Sequence, residues 1–166
     1  NLTSSGSFSA RILAMMLFNV AYPAAMEGGD AVNNMAYRVT ERMRTQIVVV
    51  HATGELDADG NWQDANGNGI FEMTFWVKNI GETRISALES LDVFFGPEGN
   101  FSRIPYEAHV SGTYPRWHAA VENSTDWTPR ATLRLDVQYS AALPQGRYFF
   151  KISLPNGVMD ETFLGI

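Results

Sequence analysis

The sequence predicts an α+β chain, a long N-terminal hydrophobic α-helix followed by an antiparallel β-sandwich. Three observations carry this. Apolar residues recur at helical spacing from Phe8 to about Ala52, interrupted only by Gly28-Gly29. From Ile70 onward the period changes to two. Turn clusters then punctuate the chain at short intervals as far as Pro155-Asn156-Gly157.

The helix is expected over residues 8–45, behind a polar tip at residues 1–7, so the division is 1–45 for the helix and 46–166 for the sandwich. Its first part, residues 12–26, is apolar on almost every side: Ile12, Leu13, Met15, Met16, Leu17, Phe18, Val20 and Met26 contribute. Its second part is amphipathic, because Val32, Met35, Val39, Met43, Ile47 and Val50 step by 3 or 4. A continuous helix of this length extends roughly 65 Å at 1.5 Å per residue. A domain of this size has a radius of gyration of only about 15 Å. The chain cannot bury such a helix by itself, so a membrane or copies of the same helix must cover it. Pro23 removes a backbone donor and predicts a kink, and Gly28-Gly29 is a weak point. Arg11 and the small residues Ala21, Ala24 and Ala25 imitate a signal peptide, but the helical pattern runs on past residue 26. A membrane span needs about 20 apolar residues, and residues 8–26 reach that only if Ser9 and Arg11 are tolerated. The contrary reading is an ordinary buried core helix.

Composition narrows the function. Apolar residues make up 45% of the chain, enough for a core, while charged residues are only 18%. The net charge is −6 with no basic run, which excludes the phosphate contacts that nucleic acid binding requires. There is no cysteine, so disulfide scaffolds, thiol catalysis and cysteine-based zinc sites are excluded.

The strands follow in order. Residues 46–53 are β-branched and read as a strand or a last helical turn. Residues 54–69 form an acidic, turn-rich loop. Residues 70–79 place Phe71, Met73, Phe75 and Val77 on one face and Glu72, Thr74, Trp76 and Lys78 on the other. After a turn at Asn79-Ile80-Gly81-Glu82, short strands are expected at 83–88 and 90–95, and then in FSRIPY, RWHAAVEN, ATLRLDVQY, RYFFKISL and VMDETFLG. Asn156-Gly157 is the strongest hairpin signal. Seven or eight short strands at this spacing suggest a sandwich.

Several blocks now combine: IVVVHATGE, FWVKNIGETRI, LDVFFGPEGNFSRIPY, ENSTDWTPRATLRLDV and LPQGRYFFKISLPNGVMDE. Together with the apolar helix, residues 12–166 resemble the archaellum (archaeal flagellum) proteins, which are type IV pilin-like. The likeness is closest to archaeal flagellar protein G and looser to the archaellins; WVKNIG, DVFFGPEGNFSRIPY and LPNGVMDE are its most specific blocks. The resemblance implies an N-terminal helix released by a prepilin-type peptidase and an immunoglobulin-like sandwich outside. It implies two roles: packing into a filament core, or anchoring a motor to the surface layer. The tip NLTSSGS departs from the family pattern, whose mature helices start apolar.

Candidate sites are few. Asp64-x-Asn66-x-Asn68-Gly69 matches the first half of a calcium loop, with oxygen donors on alternate residues and a Gly for the sharp turn. The twelfth position is Phe75 rather than Glu, so this is not an EF-hand; Asp57, Asp59 or Glu72 would have to complete the set. The alternative is a solvated hairpin of turn formers. Asn1, Asn100 and Asn123 begin glycosylation sequons. His51, His109 and His118 are isolated, and no nucleophile or zinc motif is present, so no enzyme is expected. Trp62, Trp76, Trp117 and Trp127 are read as packing residues rather than a sugar platform.

The expected function is a structural subunit of an extracellular, archaellum-like helical filament for motility. Its helix would meet the membrane before assembly and copies of itself afterwards, forming a homopolymer. Each large side chain among Ile12–Phe18 contributes about 1.5–3 kcal/mol when buried, and contacts that do not close give a filament. The alternative is a membrane-anchored stator or adaptor at the cell surface that binds a surface-layer protein or other archaellum components.

Overall fold

The computed structural model describes residues 28–166. Helix α1 spans 28–44. Eight strands follow: β1 Ile47–Gly54, β2 Phe71–Asn79, β3 Asp92–Pro97, β4 Ser102–Ile104, β5 Arg116–Val121, β6 Thr132–Tyr139, β7 Arg147–Ser153 and β8 Met159–Gly165. The compact units divide between Thr40 and Glu41.

The helix ends within one residue of the expected boundary at 45, although the apolar period continues beyond it. Ile47 and Val50, which continue the helical spacing, lie in β1. The run Ile47-Val48-Val49-Val50 is β-branched, and β2 is available to pair with it, so pairing overrides the spacing. Val32, Met35, Val39 and Met43 of α1 are all more than half exposed. No helix among the described residues is long and apolar enough to cross a membrane. The expected fully apolar segment, with Ile12, Leu13, Met15, Met16, Leu17, Phe18, Val20 and Met26, lies outside the described residues, as does the kink at Pro23.

The strands form two antiparallel sheets, β1-β2-β6-β5 and β4-β3-β7-β8. Lettered in chain order from A, with β4 as C′, these are the sheets ABED and C′CFG of an immunoglobulin-like sandwich. Alternation in β2 runs as the sequence predicts: Met73, Phe75 and Val77 are buried. Leu133, Leu135 and Val137 of β6 lie beside them in the same sheet, and Phe150 and Ile152 of β7 come from the other. The strand expected at 83–88 does not form. Ile85 makes only an isolated bridge to Trp127, and a 3-10 turn, Leu88–Ser90, follows.

Immunoglobulin domains of antibodies join strands B and F with a disulfide and pack an aromatic of strand C against it. This chain has no cysteine. Phe75 of β2 stacks on Phe150 of β7 with centroids 3.6 Å apart and planes 10° from parallel. Phe95 of β3 meets Phe75 edge-on at 5.6 Å. Two residues before Phe150, the Tyr148 hydroxyl donates to the Pro144 carbonyl at 2.6 Å, which is the tyrosine corner of this architecture. Burial pushes the Tyr148 phenol up. It also pushes Tyr139 up to about 12, with Tyr148 adding a smaller charge effect.

Truncating a fully buried aromatic costs about 3–5 kcal/mol. Phe150→Ala is therefore expected to lower unfolding free energy by about that amount in urea titration, more than an exposed change such as Phe101→Ala.

Candidate functional site at the helix–sandwich junction

The chain leaves α1 through Thr45 and Gln46, and these two residues are held by the loop after β2. Thr45 is 3% exposed. Its hydroxyl donates to the Glu41 carbonyl at 2.8 Å and lies 2.8 Å from the Thr83 hydroxyl. The carbonyls at a helix C-terminus lack intrahelical donors, and here the loop supplies them. Glu82 N–H donates to the Arg44 carbonyl at 2.8 Å, and Ile80 and Gly81 N–H both donate to the Gln46 carbonyl. The exposed Arg44–Glu82 ion pair at 3.2 Å adds little.

Asn79 organises this loop from a position with no exposed surface. Its amide donates to the carbonyls of Thr83 and Trp127, and its side-chain oxygen accepts from Gly81 N–H. Its backbone donates to Ala131 and accepts from Arg130. A buried amide so fully satisfied fixes one loop geometry. Gly81 is required for a steric reason, since a Cβ there would lie 2.5 Å from Gln46 N and 2.6 Å from the Arg44 carbonyl oxygen. The block WVKNIG thus carries both residues that grip the chain as it leaves the helix. The sequence marks 79–82 as a turn, but nothing local in it says what the turn holds. Gly81→Ala is expected to cost about 1–3 kcal/mol through overpacking and to raise amide exchange at Thr45 and Gln46 ahead of the β-strands.

A second polar cluster lies on the outward face of the first sheet. Register places Thr74, Asp136 and His118 in one cross-strand row. Thr74 donates to Asp136 at 2.5 Å, while His118 Nε2 and Arg134 Nε each lie 3.2 Å from its carboxylate. Asp136 is only 3% exposed. The next row joins Glu72, Gln138 and Arg116. The bond to Asp136 holds the His118 imidazolium above its usual range, against the opposing effect of burial. For Asp136 burial is the largest influence and pushes upward, but the bonds from His118 and Thr74 with the Arg134 charge outweigh it and leave the carboxyl low. These residues are far apart in sequence, so no motif reveals them. Because the His118 pKa is raised on folding, its contribution is complete below 6.5 and fades as pH rises through the folded value. The Asp136 contribution is complete above 3.8 and fades as pH falls. Calorimetry should show a decline in Tm on the alkaline side of this window, and His118→Gln should flatten that limb.

The residues singled out as calcium ligands bond to backbone N–H groups of their own turns. Asp57 accepts Asp59 and Asn61 N–H in one turn. Asp64 accepts Asn68 and Gly69 N–H in another, Asn66 also accepts Asn68 N–H, and Asn68 accepts Ile70 N–H. The Asn61 N–H bond is the main reason the Asp57 carboxyl is held low. Glu72 is turned to Gln138, 2.7 Å away. Among the described residues no group of three or more His, Asp or Glu side chains is placed to hold a metal. The carboxylates are occupied in shaping the loop, which Trp62 pins through its bridge to Leu56 and its contact with Tyr139. A chelator is expected to leave Tm unchanged, whereas Asp64→Ala lowers it; a chelator-dependent drop would show calcium in the loop.

Asn100 and Asn123 are exposed in the β3–β4 and β5–β6 turns, open to a glycan, and Asn1 lies outside the described residues. Trp62, Trp117 and Trp127 are buried and Trp76 is half-buried, so no tryptophan platform exists.

No protein-family model matches the chain, and no curated protein matches it. Solved structures do. The archaellum periplasmic stator protein FlaG from Sulfolobus acidocaldarius is 26% identical with a TM-score of 0.56, over 72% of this chain and 99% of that one. The periplasmic stator complex of FlaF and FlaG from the same organism matches with the same identity and TM-score, over 72% of this chain and 89% of that one. The resemblance to archaeal flagellar protein G read from the sequence therefore holds in three dimensions.

Proposed function

We propose that this chain is a stator component of an archaellum, of the FlaG kind, working in the cell envelope outside the cytoplasmic membrane. The observation that carries this is the likeness to a stator protein along 99% of that protein's chain. It favours the stator over the filament subunit as the role of the apolar segment. In this reading residues 12–26 anchor the chain in the membrane, and the sandwich reaches outward to a fixed partner. A FlaF-like sandwich protein is the first candidate, given the FlaF–FlaG complex among the matches, and a surface-layer protein is the second. The role is mechanical and involves no catalysis. Force from the anchor enters the sandwich at Thr45-Gln46, where the Asn79–Gly81 loop grips the chain.

Fractionation of the source cells tests this. The chain is expected with the envelope membranes and not as the dominant protein of sheared filaments. Leu17→Glu places a charge in the anchor, at a cost of about 2.5–3.5 kcal/mol for an acidic residue mid-span. It should release the chain from membranes while leaving the thermal transition of the sandwich intact. Recovery as the main protein of helical fibres would instead restore the filament subunit.

A further inference from the structure

Every residue of α1 is exposed. A helix of this length standing alone in water is barely stable, and the packing of an apolar face normally supplies the rest. Such a face is present. At roughly 100° per residue, Val32, Met35, Val39 and Met43 fall within an arc of about 80°. Arg42 and Arg38 follow on one flank, about 60° and 100° from Val39. Both acidic residues of α1, Asp30 and Glu41, lie about 160–180° from Val39, on the opposite side. Arg44 is turned from the stripe and pairs with Glu82. Arg38 and Arg42 form no ion pair among the described residues.

Two occupants could cover the stripe, a copy of the helix or a lipid surface. The spacing disfavours the copy. The seam of a two-helix coil steps by 3 and 4 in alternation. Val32, Met35 and Val39 follow that rule, but the next seam position is Arg42, and Met43 falls one residue past it. A paired helix would bury Arg42, and no carboxylate of α1 flanks the stripe to meet it. A lipid surface has no such conflict. Apolar side chains enter the boundary of headgroups and acyl chains while arginines reach back to the headgroups. Bases beside the stripe and acids opposite it are the arrangement that an anionic layer attracts. No helix among the described residues is apolar enough to cross the layer, so α1 can only lie along it.

We infer that α1 rests in the plane of an anionic lipid surface, with Val32, Met35, Val39 and Met43 in the acyl boundary and Arg38 and Arg42 on the headgroups. This deepens the membrane anchoring proposed above and rests on it. Residues 12–26 hold the chain at the layer, and Gly28-Gly29, the pair least favourable to helix, is where the chain turns to run along the surface. Because α1 leads into the gripped Thr45-Gln46, the sandwich is then tied to the layer along a whole helix and not only at one crossing point.

The chain has no cysteine, so single cysteines in the full chain can each carry an environment-sensitive fluorophore. Val32→Cys, Met35→Cys and Val39→Cys probe the stripe, and Asn34→Cys and Glu41→Cys probe the opposite side. The labelled chains are reconstituted into phosphatidylcholine vesicles with and without phosphatidylglycerol, and a lipid-borne nitroxide serves as quencher. With phosphatidylglycerol present, stripe positions should be quenched at least about twofold more than the opposite side. That contrast should fall by at least about half in its absence, or when Arg38→Gln and Arg42→Gln are combined. Equal quenching around the helix, or the same contrast in neutral vesicles, overturns the inference. If such chains still float with the vesicles, the anchor stands and only the docking of α1 is lost; chains that do not float remove the anchor as well. Stripe labels shielded from aqueous iodide but not quenched from the lipid give the face to a second copy, and that also overturns the inference.

Discussion

Everything in the sandwich depends on one contact, the stack of Phe75 on Phe150. Two sheets held only by general apolar packing can slide or splay, and related architectures stop this with a covalent bridge. Here a 3.6 Å ring stack takes that place. Phe95 closes against it, and the Tyr148 corner fixes the start of β7. Dispersion between large flat surfaces is strong when water is excluded, and none of these rings has more than 1% of its surface exposed. The arrangement works in any redox environment, which suits a chain without cysteine.

A rigid sandwich makes the junction meaningful. The first residues of the sandwich unit leave α1 and meet a loop that satisfies the helix-end carbonyls with its own N–H groups. Asn79 is buried next to the core and reaches three backbone groups of that loop and its neighbours. Tension applied to the N-terminal side is thus spread over β2, the 79–84 loop and the segment at Trp127–Ala131, rather than over one strand. For a protein proposed to resist torque, this coupling plays the part that an active site plays in an enzyme.

The two sheets present different outer faces. The first has a polar network in which the Asp136 carboxylate is met by Thr74, His118 and Arg134, while the buried His118 Nδ1 has no partner among the described residues. The second has exposed aromatic rings.

By itself the sequence determined most of the strands, though not the one it suggested at 83–88. Alternation in residues 71–79, the turns at 96–100 and 154–158, and the apolar runs of β6 and β7 are local signals, and local signals specify local structure. The absence of cysteine also determined that no disulfide joins the sheets, because composition bounds chemistry. The family likeness was legible in WVKNIG and its companion blocks, whose Asn and Gly prove to have structural duties. Only the tertiary structure decided that β1 is a strand rather than a last helical turn, since Ile47 and Val50 suit either period until β2 pairs with the segment. It placed the oxygen donors of the acidic loop on the nearest backbone N–H groups. It brought Thr74, His118 and Asp136 together. Those outcomes depend on partners distant in the chain, which spacing along the sequence does not encode.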